Sequence, residues 1–366
     1  MITGQKNGAS FQAPTTQQMP SQDSRVFRLP RPLRLENGAV LPRVEVTYHT
    51  YGQLNPARDN VLWVCHALTA NADVQDWWAG LVGCGKYFDP ADWFIVCANV
   101  LGSCYGSTGP LSPDPTTGRP AFRNFPLITI RDMVAAHEAL REHLALARIH
   151  TLIGGSLGGQ QAVEWAVQRP DVFDNLVLLA TSARHSAWGI AFNEAQRLAI
   201  FADATYAADT PAGGAAGLRA ARAVALLSYR SAEAYGRTQT EPDEDKLADF
   251  PASSYQRYQG DKLAARFDAY SYVTLSRAMD SHHVGRGRGG VAAALGRIRA
   301  RTLVLGITSD VLFPVAEQQL LARHIRGAMY AEMDSPFGHD GFLLEAAQIT
   351  HFLARFSTQT YAYEPA

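Results

Sequence analysis

The chain has 366 residues, 47% of them hydrophobic and 18% charged, which is enough apolar material for a sizeable core and excludes disorder throughout. Lysine plus arginine number 33 against 34 acidic residues, for a net charge of −1, so there is no polybasic field to hold nucleic acid or anionic lipid. No window approaches the ~20 consecutive apolar residues of a membrane span, and the first residues lack the apolar core of a secretory signal, which sets the expectation of a cytoplasmic protein. The four cysteines, Cys65, Cys84, Cys97 and Cys104, show no C-x-x-C and no paired-histidine spacing. Neither a disulfide framework nor a metal site is expected, and the thiols read as buried.

Residues 1–25 are rich in Gln, Ser, Thr, Gly and Pro, with almost no branched aliphatics, and read as a disordered tail. From Phe27 onward, runs of β character follow at Val40 to Tyr48, Val61 to Cys65 and Trp93 to Ala98, punctuated by the turn signals Glu36-Asn37-Gly38 and Asn55-Pro56. The apolar spacing of Met133, Ala136, Leu140 and Leu144 predicts an amphipathic helix over Ile130 to Ala147. A buried strand at Thr151 to Ile153, a helix over Leu157 to Gln168 and a strand over Leu176 to Ala180 continue the alternation. It resumes with a strand at Thr302 to Gly306, a helix at about Val315 to Ile325, a strand-like Met329 to Met333 and a last helix from Phe342 to Phe356. Strands alternating with helices imply a mostly parallel sheet with helices on both faces. Between about Ala183 and Ile298 the alternation stops, and helix-forming runs at Glu194 to Ala202, Leu218 to Leu227 and Ser271 to Met279 predict a helical insertion. The glycines and arginines of 285–290 are then a flexible return to the sheet. The expected division is a core first part over 26–182, a helical lid over 183–298 and a core second part over 299–366.

Gly154-Gly155-Ser156-Leu157-Gly158 satisfies G-x-S-x-G where a buried strand hands over to a helix. The turn is too tight for side chains beside it, so Ser156 is expected to be strained and exposed over the helix N-terminus. A serine hydroxyl becomes nucleophilic when a histidine takes its proton and a carboxylate orients that histidine. Asp310, just past the strand at 302–306, and His339, on a loop before the last helix, stand in the order Ser, Asp, His at carboxyl ends of strands. Asp310 could instead cap a turn before Pro314, and His66 competes with His339. The place of His66 after an early strand suits the oxyanion loop better, where the backbone N–H of Leu68 would join that of Leu157. His282 and His283 read as surface or packing residues.

Asn99 to Pro110, which contains Gly106-Ser107-Thr108-Gly109-Pro110, together with Gly154 to Gly159, Asp310 to Pro314 and Gly338 to Leu343, closely resembles the homoserine O-acetyltransferases from about residue 27 to 356. The resemblance implies an α/β-hydrolase fold, a helical lid that also forms a homodimer, acetyl-CoA as co-substrate with no bound cofactor, L-homoserine as acceptor and a place in methionine biosynthesis. It carries over Ser156, Asp310 and His339 as the triad. Arg222 would hold the homoserine carboxylate, Tyr229, seven residues further along that lid segment, would also bind the substrate, and Asp340 would receive the ammonium. Two stretches depart from the family, Gly102-Ser103-Cys104-Tyr105-Gly106 and Leu226-Leu227-Ser228-Tyr229. They bear on the acyl donor: a succinyl carboxylate would want a cation, and Tyr105 supplies none, so acetyl is favoured. A succinyl or serine-directed acyltransferase, a serine hydrolase and a non-catalytic binding scaffold are the competing readings.

Overall fold

A computed structural model describes residues 24–358. The expected N-terminal tail lies outside them except for its last two positions, and Arg25 already opens a strand. In chain order the strands are β1 (Arg25–Arg28), β2 (Leu33–Arg34), β3 (Val40–Leu41), β4 (Glu45–Tyr51), β5 (Val61–Cys65), β6 (Phe94–Ala98), β7 (Ile149–Gly155), β8 (Phe173–Leu179), β9 (Arg301–Ile307) and β10 (Met329–Met333). The helices are α1 (Val74–Trp77), α2 (Ile130–His143), α3 (Leu157–Gln168), α4 (Ala187–Phe201), α5 (Ala215–Tyr229), α6 (Ala232–Gln239), α7 (Pro251–Ala264), α8 (Ala269–Asp280), α9 (Val291–Leu295), α10 (Val315–His324), α11 (Gly341–Leu344) and α12 (Ala346–Thr358).

Eight strands make one sheet in the order β1-β4-β6-β5-β7-β8-β9-β10, parallel from β6 to β10 and antiparallel where β4 meets β1 and β6. The central strands read as continuous apolar runs because both faces are covered. Along β5, Val61, Trp63 and Cys65 enter the core on one face while Leu62 and Val64 enter the core on the other. Trp63 meets Trp165 of α3 edge-on at 5.0 Å between ring centroids. On the opposite face, Ile349, Leu353 and Phe356 place one stripe of α12 on the sheet. Burying side chains of this size contributes about 2–3 kcal/mol each.

Local chemistry sets the element ends. A reciprocal cap starts α2: the Thr129 N–H donates to Asp132 Oδ2 at 2.8 Å while the Thr129 side chain accepts from the Asp132 N–H. That helix stops at His143, short of the expected Ala147, because Ala145 turns left-handed at φ 52°. The predicted run from Val40 to Tyr48 divides at Pro42, which has no N–H for a ladder. Its first part pairs with β2 in a separate small hairpin turned by Gly38 at φ 89°, and only its second part joins the main sheet. The last helix is likewise two pieces, α11 and α12, broken at Glu345. Cys65 and Cys97 are buried as expected, whereas Cys84 is exposed.

Strands β8 and β9 are adjacent and parallel, and all of α4 to α9 lies between them in sequence. The return at 285–290 is pinned rather than loose. Arg286 grips Glu36 with two nitrogens at 2.9 Å each, and Arg288 holds the buried Glu164. Both ties reach back to residues of the core, so the glycines there serve the turn and the arginines anchor it.

Candidate active site

Ser156 sits between β7 and α3, buried at 5% exposure rather than exposed as expected, with φ 56° and ψ −126°, a strained conformation for a residue with a Cβ that persists only where its surroundings over-determine it. Its N–H donates to Leu179 O at 3.1 Å, and its carbonyl accepts from Gln160 N–H at 3.0 Å and from Thr181 Oγ1 at 2.9 Å. The flanking glycines answer to close approach. A Cβ on Gly158 would fall 2.0 Å from Cys65 O, and one on Gly154 would fall 2.3 Å from Gly158 O. That approach lays the first turn of α3 against the loop leaving β5, where Gln161 Nε2 donates to His66 O at 3.2 Å. Leu157 and Leu68, both buried, therefore belong to neighbouring backbone segments. The Leu157 N–H is among the first four of α3, which have no acceptor inside the helix.

Asp310 and His339, 29 residues apart, meet at 2.7 Å between Oδ2 and Nδ1, at 4% and 3% exposure. The N–H groups of Leu312 and Phe313 both donate to Asp310 Oδ1, at 2.8 and 2.9 Å. A carboxylate held this way is acceptor-only, so the proton belongs on His339 Nδ1 and the Nε2 lone pair is left to accept. The imidazole is held between rings, stacked on Phe313 at 5.2 Å and edge-on to Phe342 at 5.3 Å. Phe342 also lies against the serine turn, since a Cβ on Gly155 would meet its ring at 2.6 Å. The same phenyl ring thus packs against both the elbow and the histidine.

His66 is used differently. Its Nδ1 donates to Ala67 O at 2.8 Å and its Nε2 accepts from Val100 N–H at 3.1 Å. Burial lowers its pKa to about 4, so the ring is neutral with both nitrogens engaged by backbone. His282 is buried and packs; its Nε2 lies 3.0 Å from Ser182 O.

The end of α5 presses on the histidine loop. Arg222 lies with its guanidinium carbon 5.3 Å from the Tyr229 ring centroid, and that ring is 5.8 Å from the ring of His339. Arg222 Nε is buried and makes no hydrogen bond among the described residues. Burial raises the pKa of the Tyr229 hydroxyl. Asp340 is already engaged, with Oδ2 2.7 Å from Arg230 Nε, so an ammonium reaching it would share the carboxylate with Arg230. Ser231 Oγ donates to Pro336 O, and Gly338 leaves no room for a Cβ against the backbone of 229–231.

No local pattern points to Arg266. Its Nη1 donates to Thr69 O at 2.6 Å and to the Tyr105 hydroxyl at 2.5 Å. A cation therefore stands beside Tyr105, supplied by Arg266 and not by the tyrosine itself. More than 150 residues separate the two in sequence, and the only hint was that Tyr105 departs from the family pattern. Among the described residues no group of three or more His, Cys, Asp or Glu side chains could hold a metal ion, and no helix is long and apolar enough to cross a membrane.

A strained serine between strand and helix, followed by a buried Asp–His pair at the ends of later strands, defines an α/β-hydrolase-fold protein, and the model of that fold family matches residues 60–346. Homoserine O-acetyltransferase from Cyclobacterium marinum is 48% identical over 90% of this chain and 94% of its own length, and that from Chlorobaculum tepidum is 47% identical over 93% and 96%. The crystal structure of homoserine O-acetyltransferase from Staphylococcus aureus, 30% identical, superposes with a TM-score of 0.78 over 93% of this chain and 97% of that one. Esterase E22, 23% identical, shares the fold with a TM-score of 0.83 over 91% of this chain and 99% of that one. The chain belongs to the homoserine O-acetyltransferase family.

Proposed function

We propose that this protein moves an acetyl group from acetyl-CoA to the hydroxyl of L-homoserine through an acetyl-Ser156 intermediate, a step of methionine biosynthesis. The observation that carries the reading is the buried Asp310–His339 pair, joined through the Phe342 ring to the elbow that holds Ser156 at φ 56°. His339 Nε2 takes the Ser156 proton as Oγ bonds to the thioester carbonyl carbon. The N–H groups of Leu157 and Leu68 receive the developing oxyanion. The carbon–sulfur bond then breaks, and the imidazolium returns the proton to the departing thiolate. In the second half the same nitrogen deprotonates the homoserine hydroxyl, whose oxygen bonds to the acetyl carbon, and Ser156 recovers its proton as the ester leaves. Arg222 pairs with the acceptor carboxylate and Asp340 with its ammonium, with Tyr229 between Arg222 and the base.

Transfer outpaces hydrolysis only if water is kept from the acyl-serine, and the 183–298 helices supply that cover. Their exposed apolar side chains, among them Leu198, Phe201 and Leu227, support a homodimer formed through the lid. Acetyl-CoA is an intracellular metabolite, which goes with a cytoplasmic setting. Two measurements test the reading. Mass spectrometry after mixing with acetyl-CoA alone should find one acetyl group on the Ser156 peptide, absent in Ser156→Ala. Rates for acetyl-CoA and succinyl-CoA against homoserine and serine should be highest for the first of each pair. Acetate release at equal rate with and without homoserine would make the protein a hydrolase.

A further inference from the structure

A cleft of about 1090 Å³ opens between the exit of β8 and the first turns of α10. Its walls come from the exit of β8, the start of α4, the return after α8 and the first turns of α10. None of Ser156, His339, Arg222 or Asp340 lines it, and the acetyl-transfer reading assigns it no task.

Three polar side chains in its wall carry buried atoms with hydrogen-bonding capacity to spare, Glu317 lying within the pull of the Ser182 and Ser186 hydroxyls. Ser182 and His282, at 1% and 3% exposure, and the half-buried Glu317 all line it. Ser182 Oγ, His282 Nδ1 and Glu317 Oε2 are buried atoms without a hydrogen bond among the described residues. His282 Nε2 faces a carbonyl, Ser182 O at 3.0 Å, and must carry the ring proton. Burial lowers this histidine's pKa to about 3, so the ring is neutral and Nδ1 presents a bare lone pair. Glu317 offers carboxylate oxygens and Ser182 a hydroxyl that can turn either way. Burial pushes the Glu317 carboxyl up to about 7, against the pull of the Ser186 and Ser182 hydroxyls, with the Asp310 charge raising it further and Arg184 lowering it. Arg184 is exposed. Two acceptors and a hydroxyl in one wall call for a ligand rich in N–H donors, and a buried carboxylate calls for a positive one.

The same wall is tied to the nucleophile. Thr181, next to Ser182, donates through Oγ1 to Ser156 O at 2.9 Å. Gln318, next to Glu317, donates through Nε2 to Thr181 O at 2.6 Å. A ligand that bears on Ser182 and Glu317 therefore bears on Thr181, which holds the strained carbonyl of the elbow, and on Gln318, which holds Thr181.

We propose that this cleft binds a small molecule through a primary ammonium group seated among Glu317, Ser182 and His282, and that its occupancy is felt at Ser156. The proposal does not depend on which acyl group or acceptor the protein uses. Its test is a titration of the full chain with ethylammonium chloride, followed by ligand-observed NMR well above neutral pH, with ethanol and sodium acetate as uncharged and anionic controls. Ethylammonium should saturate one site that ethanol and acetate do not occupy. Glu317→Gln should weaken that binding about tenfold or more, Ser182→Ala severalfold, and Asp340→Asn not at all. Occupancy should also change the rate at which a fluorophosphonate probe labels Ser156, in the wild type but not in Glu317→Gln. Equal binding of ethanol, or ethylammonium binding indifferent to both Glu317→Gln and Ser182→Ala, would overturn the site and leave the cleft to water. Binding that depends on Glu317 but leaves the labelling rate unchanged would overturn the link to Ser156.

Discussion

Replacing Asp310 by asparagine changes one atom and should remove most of the activity. The carboxylate makes three contacts: Oδ1 accepts from Leu312 N–H at 2.8 Å and Phe313 N–H at 2.9 Å, and Oδ2 receives the His339 Nδ1 proton at 2.7 Å. The incoming amide has one acceptor and one donor end. Turning the NH2 toward 312 and 313 would set it against two buried N–H groups, at about 1–3 kcal/mol for each one left unsatisfied. The amide oxygen therefore stays there and the NH2 faces His339 Nδ1, which must now offer a lone pair. The ring proton moves to Nε2, where the base should accept, and the fold is undisturbed. A base in the wrong tautomer typically costs about 10⁴ in kcat, or about 5.4 kcal/mol at 1.36 kcal/mol per tenfold. Stopped-flow release of CoA from acetyl-CoA reads the acylation step directly, Ser156→Ala supplies the floor, and circular dichroism checks folding. A folded Asp310→Asn enzyme that acylates within about tenfold of wild type would refute the tautomer reasoning.

Arg222→Lys keeps the charge but loses the planar fork, so the homoserine KM should rise about 30-fold in steady-state kinetics, with that for acetyl-CoA little changed. Arg266→Met releases the Thr69 carbonyl and the Tyr105 hydroxyl together, so the acylation rate should fall about tenfold at constant homoserine KM, in proportion to the affinity for a boronate that mimics the tetrahedral adduct. Burial pushes the pKa values of His66, His137 and His185 down to about 4 and that of His282 to about 3. These groups are neutral when folded, while the unfolded chain takes up protons below about 6.5, so stability rises with pH across that window and is lost on acidification. Each histidine should contribute up to about 2 kcal/mol of loss between neutrality and pH ~5, seen as a falling urea midpoint.

What could be read from the chain followed from how local its causes are. The elements β5, α3 and β10 begin and end where expected because short apolar runs between turn residues leave few alternatives. The elbow was visible because five consecutive residues carry its close approaches. Asp310 and His339 could be picked by order and loop position, since the parallel sheet returns every strand end to one edge. The division of the predicted 40–48 strand depended on which sheet each half would join, which no local pattern records. The contacts Arg266–Thr69 and Arg230–Asp340, and the burial that neutralises His66, were hidden for the same reason, because each is created only when distant segments are brought together.

The adjacency of β8 and β9 also says something about how this fold tolerates change. The ladder between them closes over a connection on the order of a hundred residues, which costs about 4 kcal/mol of chain entropy plus a constant, only about 2 kcal/mol more than a ten-residue link would. Closure cost grows so slowly with length that the whole helical excursion can lengthen, shorten or be rebuilt with little penalty to the pairing beneath it. The sheet can therefore stay fixed in a lineage while the residues carried on the excursion drift, which is a physical route by which one sheet can come to serve both transferases and esterases.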